Sequence, residues 1–165
     1  MKNILNYKAE GAKQLKVYKY RINNVKLIWV DQVINLLKYF KIKKINDIGC
    51  CYFQFYKGLK NKKKYNYFGY DIEEKFIKLG LKKFPELNKN YKIGDVTKIH
   101  LRNCDCSIVS TITEHVQNPC KLIEKICKSS KKILDEATKF SSTSKLIYNI
   151  HKRRMYIILA IKNHG

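Results

Sequence analysis

The sequence predicts an α/β fold: a three-layer, mostly parallel sheet that ends in an antiparallel hairpin, with the crossover helix near the C-terminus shortened. Three observations carry this. Asp47, Asp71 and Asp95 recur at 24-residue intervals, each closing or directly following a short apolar or aromatic run. That interval is about one strand-plus-helix unit. Short apolar runs alternate with stretches of helical period through the middle of the chain, which is the pattern of βαβ units with right-handed crossovers. Two apolar runs near the end flank a basic turn.

In order along the chain, residues 1–23 are mixed and polar, with Tyr7, Tyr18 and Tyr20 interspersed, and read as an N-terminal helical arm or lid. Residues 24–165 form the main domain. From Asn24 to Phe40 the pattern is helical, with Val30, Val33, Ile34, Leu37 and Phe40 on one stripe and Asp31, Gln32, Asn35 and Lys38 opposite. A strand follows at Lys43–Gly49, then a short helix near Phe53–Leu59. The second strand is Tyr65–Asp71. Glu73 and Glu74 open the next helix, where acids suit the positive end of the dipole, and it ends near Phe84-Pro85. Strands three and four are Tyr91–Val96 and Cys106–Ile112. Asn118-Pro119 starts a helix, an Asn cap followed by Pro at the first helical position, with Leu122, Ile123, Ile126 and Cys127 as its apolar face. Lys131–Ala137 is a fifth strand, although it carries Asp135 and Glu136. Leu146–Ile150 and Met155–Ile161 then flank His151–Arg154 as a hairpin. Only about eight residues, 138–145, separate the fifth strand from that hairpin, too few for a full crossover helix.

Composition bounds the function less sharply. At 165 residues and 45% hydrophobic, the chain is one globular domain with a real core. The net charge of +22 invites a nucleic-acid reading, but 31 of the 35 basic residues are Lys, the mixture that A/T-rich codon usage produces. Six cysteines with no secretory leader in Met1–Lys26 point to a reducing cytoplasm and free thiols, small buried hydrophobes rather than bridges. The longest apolar run, Met155–Ile161, is far short of a membrane span. A zinc site from His100, Cys104, Cys106 and His115 is disfavoured by its spacing, so no metal is expected.

Asn46-Asp47-Ile48-Gly49-Cys50-Cys51-Tyr52-Phe53 after the first strand has the layout of a nucleotide site, with Asp71 22 residues beyond Gly49 to take ribose hydroxyls. A dinucleotide fold would want G-x-G-x-x-G, and only the first glycine is present. Three acids along one sheet edge suit a ligand carrying an amine and neighbouring hydroxyls.

The chain here resembles the class I S-adenosylmethionine-dependent methyltransferases, in particular the type 11 group, whose fold is a Rossmann-like sheet. Asp47-Ile48-Gly49-Cys50 is similar to the start of that family's D-x-G-x-G-x-G motif. Tyr70-Asp71-Ile72 resembles its strand-two acid and Gly94-Asp95-Val96 its strand-three acid. Cys104–Ser110 through Glu114-His115-Val116-Gln117-Asn118-Pro119 resembles its fourth block. The resemblance covers residues 43–130 and implies S-adenosyl-L-methionine as cofactor. It implies that Gly49 and Cys51 cradle the methionine part, with Asp47 near its amine. Asp71 and Ile72 would hold the ribose, Asp95 and Val96 face the adenine, and Thr111 line the sulfonium side. His115 is the candidate general base. Cys51 and Phe53 stand where the family has glycine and are expected to narrow the approach to the cofactor. The resemblance implies an enzyme acting on a small-molecule acceptor. The alternatives are a catalytically silent binding module and a nucleic-acid methyltransferase using its basic surface, though no N-P-P-Y-type segment follows strand four. Oligomeric state is unspecified.

Overall fold

The computed structural model describes residues 15–25, 28–59, 62–110, 112, 115–136, 149–150 and 155–159. Within these, helix α1 covers residues 15–24 and α2 covers Ile28–Tyr39, so the helix expected from Asn24 begins later and is preceded by a separate one. Strand β1 is Lys44–Ile48, α3 Gln54–Gly58, β2 Asn66–Asp71, α4 Glu74–Lys83, β3 Tyr91–Ile93, β4 Cys104–Ser110 and α5 Pro119–Ser129. Three strands complete the chain: β5 Ser130–Glu136, β6 Asn149–Ile150 and β7 Met155–Leu159. The seven strands form one sheet in the order β3-β2-β1-β4-β5-β7-β6. All neighbouring pairs are parallel except β6 with β7.

The terminal strand pair is antiparallel. Strand β6 runs antiparallel to β5 and β7, so β7 returns parallel and lies between them. The shortened crossover expected at 138–145 and the turn at 151–154 lie outside the described residues.

Strand β1 is central, and four of its five residues are buried. Its side chains are covered on both faces by helices, which explains why its sequence does not alternate apolar with polar. One core holds Trp29, Val33, Leu37, Phe53, Phe55 and Tyr67 under α2, α3 and α4. The other holds Ile48, Tyr70, Val109, Leu122 and Ile126 under α5. The expected α2 stripe is buried at Val30, Val33, Ile34 and Leu37. Trp29 stacks on Phe55 of α3, ring centroids 5.9 Å apart. Asn118 caps α5 as expected, its side chain accepting from the Lys121 N–H at 2.9 Å. Asp105 on β4 accepts from the Lys43 and Lys44 N–H groups at 3.1 and 2.9 Å, capping the start of β1. Strand β3 stops at Ile93 because Gly94 (φ 148°) turns the chain, and the N–H groups of Lys98 and Ile99 then bond to the Asp95 carbonyl.

One packing constraint shapes the first of these cores. The Phe53 ring is fully buried in a slot that exists because β2 and α4 carry glycines there. A Cβ on Gly80 would lie 2.5 Å from Phe53 Cδ2 and 2.8 Å from the Tyr52 carbonyl oxygen. A Cβ on Gly69 would lie 2.7 Å from Cys50 Sγ. Glycine inside a helix costs about 1 kcal/mol relative to alanine, so Gly80 opposes α4 locally and serves Phe53. Gly80→Ala is therefore expected to destabilise the fold by roughly 1–3 kcal/mol in denaturant unfolding, the overpacking cost outweighing the helix gain. In a Phe53→Ala background the cost should fall but not vanish, because the Tyr52 carbonyl still meets the new Cβ, and a double-mutant cycle reads the share that belongs to the ring.

Candidate functional site

The site begins where β1 ends. Gly49 (φ 79°), Cys51 (φ 53°) and Phe53 (φ 60°) all take left-handed backbone, and the N–H groups of Gly49 and Cys50 both bond to the Tyr70 carbonyl at 2.8 and 3.0 Å. The turn is thus anchored to the end of β2. Left-handed conformation is free for glycine but costs about 1–2 kcal/mol for each side-chain-bearing residue, so Cys51 and Phe53 hold a glycine-type backbone under strain. The expectation that both side chains narrow the cofactor approach is corrected at Phe53, whose ring points into the core and leaves the turn's outer face alone. Cys51 stays partly exposed at that face, with its thiol pKa raised by burial and by the nearby Asp71.

Asp71 closes β2. Its Oδ2 accepts the Cys51 N–H at 2.7 Å and its Oδ1 the Glu73 N–H at 2.9 Å. Burial pushes its pKa up to about 6, although the Glu73 and Cys51 N–H groups oppose that rise. Beside it, Ile72 is 42% exposed and Ile93 38% exposed, two apolar side chains at the same rim. Tyr18 of α1 meets Phe76 of α4 edge-on at 4.5 Å and Tyr52 of the turn at 5.8 Å, so α1 flanks this corner. Lys57 of α3 donates to the carbonyls of Arg21 and Val25 at 3.1 and 2.8 Å, satisfying the end of α1.

The three aspartates do not form one row. Asp47 lies on the buried face of β1, 1% exposed, with Oδ2 accepting from the Tyr67 hydroxyl at 2.6 Å. Its Oδ1 is buried without a hydrogen-bond partner. Burial pushes its pKa to about 7, the Tyr67 bond opposing and Asp71 adding to the rise. Asp95 has Oδ1 committed to the Thr97 N–H and hydroxyl at 2.9 and 2.7 Å, with the Lys98 ammonium 3.5 Å from Oδ2. Burial raises its pKa, but the Thr97 bonds and Lys98 outweigh that and hold it below the ordinary range. Val96 is buried in the second core. His115 is exposed, its N–H bonded to the Ile112 carbonyl at 2.9 Å; Thr111 lies outside the described residues. A separate groove of about 380 Å³ is bordered by Asn23, Asn24, Asp31, Tyr52, Gln54 and Lys57, and none of the sequence-selected residues lines it. The Asp47–Tyr67 pair and the Asp95–Thr97 turn were missed by sequence reasoning. The Thr two residues after Asp95 was the available signal for the turn.

A methyltransferase-domain family matches residues 46–132, just over half of the chain. The chain belongs to that family. The match runs from within β1 to β5 and includes every candidate site residue chosen from the sequence. Its fold is that of the class I S-adenosylmethionine-dependent methyltransferases. A Clostridium acetobutylicum S-adenosylmethionine-dependent methyltransferase aligns at TM-score 0.58 and 15% identity over 73% of this chain and 53% of its own. One from Aquifex aeolicus aligns at TM-score 0.51 and 18% identity, over 72% and 66%. The plantazolicin methyltransferase BpumL, crystallised with a triazolic desmethylPZN analog and SAH, aligns at TM-score 0.57 and 15% identity, over 75% and 50%. The domain thus spans about half to two thirds of the solved proteins it is similar to. No curated protein sequence matches it.

The cofactor that accompanies this family is S-adenosylmethionine, and the rim at Asp71 fits its nucleoside part. Each Asp71 oxygen keeps a lone pair beyond the one taken by an N–H, and exposed Ile72 and Ile93 offer apolar surface beside it. Asp47 offers an orphaned oxygen, but from inside the core.

That orphan has a measurable signature. A carboxylate whose folded pKa is raised contributes stability that is complete below its unfolded value, near 3.8, and is lost as pH rises through about 7. Asp47→Asn cannot ionise, so the variant should gain on the parent chain as pH rises from about 5 to about 8, by roughly 2–4 kcal/mol in urea unfolding. A difference that stays flat across that window would show that Asp47 titrates normally.

Proposed function

We propose that the chain binds S-adenosylmethionine at the rim formed by the β1 turn and the end of β2, and transfers its methyl group to a small-molecule acceptor. The observation that carries this is Asp71, a carboxylate fixed by two N–H groups at a strand end with apolar side chains beside it. In an open parallel sheet, ligands settle outside the carboxyl ends of the strands, where these groups lie.

In this reading Asp71 accepts from the ribose hydroxyls while Ile72 packs against the base. Gly49 and Cys51 present the turn to the amino-acid tail, and Asp95 with Val96 shapes the adenine end. Thr111 borders the reacting side. Asp47 acts from beneath, holding the turn's underside through Tyr67 rather than touching the ligand. The cofactor supplies an electrophilic methyl group, so the protein's task is alignment of the acceptor, which needs little proton transfer. His115, exposed ahead of α5, serves as general base if the acceptor is a hydroxyl. Residues 1–23 act as the arm or lid over the domain formed by 24–165, since α1 already flanks the turn. A small acceptor is supported by BpumL, whose crystals hold a desmethylPZN analog. Free cysteines and the lack of a long apolar helix among the described residues support a cytoplasmic setting.

Calorimetry with S-adenosylmethionine and S-adenosylhomocysteine tests the reading. Binding is expected to weaken roughly 10–100-fold in Asp71→Asn, the value of charge-assisted hydrogen bonds, and to weaken in the parent chain as pH falls through about 6 and Asp71 takes up its proton. Cys51→Gly, which relaxes the strained turn, should bind at least as tightly as the parent. Undiminished affinity in Asp71→Asn would remove the anchor on which the proposal stands.

A further inference from the structure

The N-terminal edge of the sheet, opposite the Asp71 rim, carries a different feature. Because β1 to β5 are parallel, the residues that enter them share one edge. Lys43 and Lys44 lie at the entry to β1, and Lys63 and Lys64 precede β2; all four are exposed. The Asn66 N–H bonds to the Lys43 carbonyl at 2.8 Å, so the two lysine pairs are neighbours. The row continues on both sides. Lys82, in the last turn of α4, and Lys89 stand ahead of β3, while Arg102 precedes β4 and donates to the Asn66 side chain at 2.6 Å.

Among the described residues two acids stand at this edge against the seven basic side chains named: Asp105, whose Oδ2 accepts from the N–H groups of Lys43 and Lys44, and Glu86, which accepts from the Tyr56 hydroxyl at 3.1 Å. The ion pairs Lys78–Glu74 and Lys98–Asp95 lie toward the other edge, with Asp71 and Glu73. The end of the sheet at which the parallel strands begin is therefore basic. At the basic end, between Lys38 and Lys41, Tyr39 is 78% exposed, an aromatic ring held out beside the lysines.

We infer that this edge is a docking surface for single-stranded nucleic acid. Four strands at about 4.8 Å spacing give a row of roughly 14 Å, long enough to meet about two or three phosphates of one strand. Tyr39 supplies a face on which a base can stack. The edge stands about a strand length, roughly 17 Å, from Asp71, so it tethers the partner rather than presenting a methyl acceptor at the rim. Electrostatic tethering of this kind is independent of cofactor binding.

The test is fluorescence anisotropy of the full chain with a labelled oligouridylate of about 20 nucleotides, titrated between about 50 and about 200 mM salt. The Lys43→Ala, Lys44→Ala, Lys63→Ala, Lys64→Ala quadruple variant should lower the log–log salt slope by about 1.5–2, at roughly 0.7 per phosphate contact. A control variant with Lys16, Lys19, Lys75 and Lys121 changed to Ala has the same net charge and should shift the slope by less than about 1. Tyr39→Ala should weaken binding about tenfold with the slope unchanged. Equal losses in the two quadruple variants would overturn the inference, as would tighter binding to phosphatidylserine vesicles than to the oligonucleotide, or no binding at about 50 mM salt. Circular dichroism establishes that both variants are folded. S-adenosylhomocysteine affinity should be unchanged in the Lys43, Lys44, Lys63, Lys64 variant, so failure here leaves the cofactor reading untouched.

Discussion

The arrangement depends on one hydrogen bond, from the Cys51 N–H to Asp71 Oδ2 at 2.7 Å. It joins the turn after β1 to the end of β2, beside the two N–H groups of Gly49 and Cys50 that bond to the Tyr70 carbonyl. A buried carboxylate is costly unless several donors satisfy it. Asp71 meets that condition with backbone N–H groups from both sides, so the turn keeps its shape because the carboxylate needs it. The same carboxylate, 9% exposed, lies beside the exposed Ile72 at the strand-end rim. The structural tie and the candidate binding group are thus one side chain.

The turn shows how a backbone can outlast the residues that suit it. Positions 51 and 53 keep left-handed geometry although neither is glycine. The strain at Phe53 is offset by burial of its whole ring, made possible by Gly69 and Gly80 on the neighbouring strand and helix. A local preference has been exchanged for a tertiary one, and the outer face of the turn remains open. Cys51 has no comparable burial in the first core and stands beside Asp71.

Much of this was legible in the sequence, for identifiable reasons. Strand positions followed from apolar runs ending in aspartate, and α5 from its Asn118-Pro119 start, since both signals are local. The direction in which a strand aspartate points was not legible: one-residue alternation decides it, and β1 is buried on both faces. Asp47 therefore turned out to belong with Tyr67 in the core, and Asp95 with Thr97 in a turn, leaving Asp71 at the rim. The slot for Phe53 depends on glycines 16 and 27 residues away, a contact no local pattern encodes. Helix α1 falls largely in the segment read as a helical arm, and the helix expected from Asn24 starts at Ile28, with Lys57 of α3 closing α1 through its carbonyls.

The central claim is that the Cys51–Asp71 corner receives the cofactor. Backbone-amide NMR of the labelled chain, titrated with S-adenosylhomocysteine, addresses it directly. The account predicts that the largest shifts fall on Gly49, Cys51, Ile72 and Glu73, with smaller ones at Val96. Saturable shifts confined to other parts of the chain, with these amides unmoved, would contradict it.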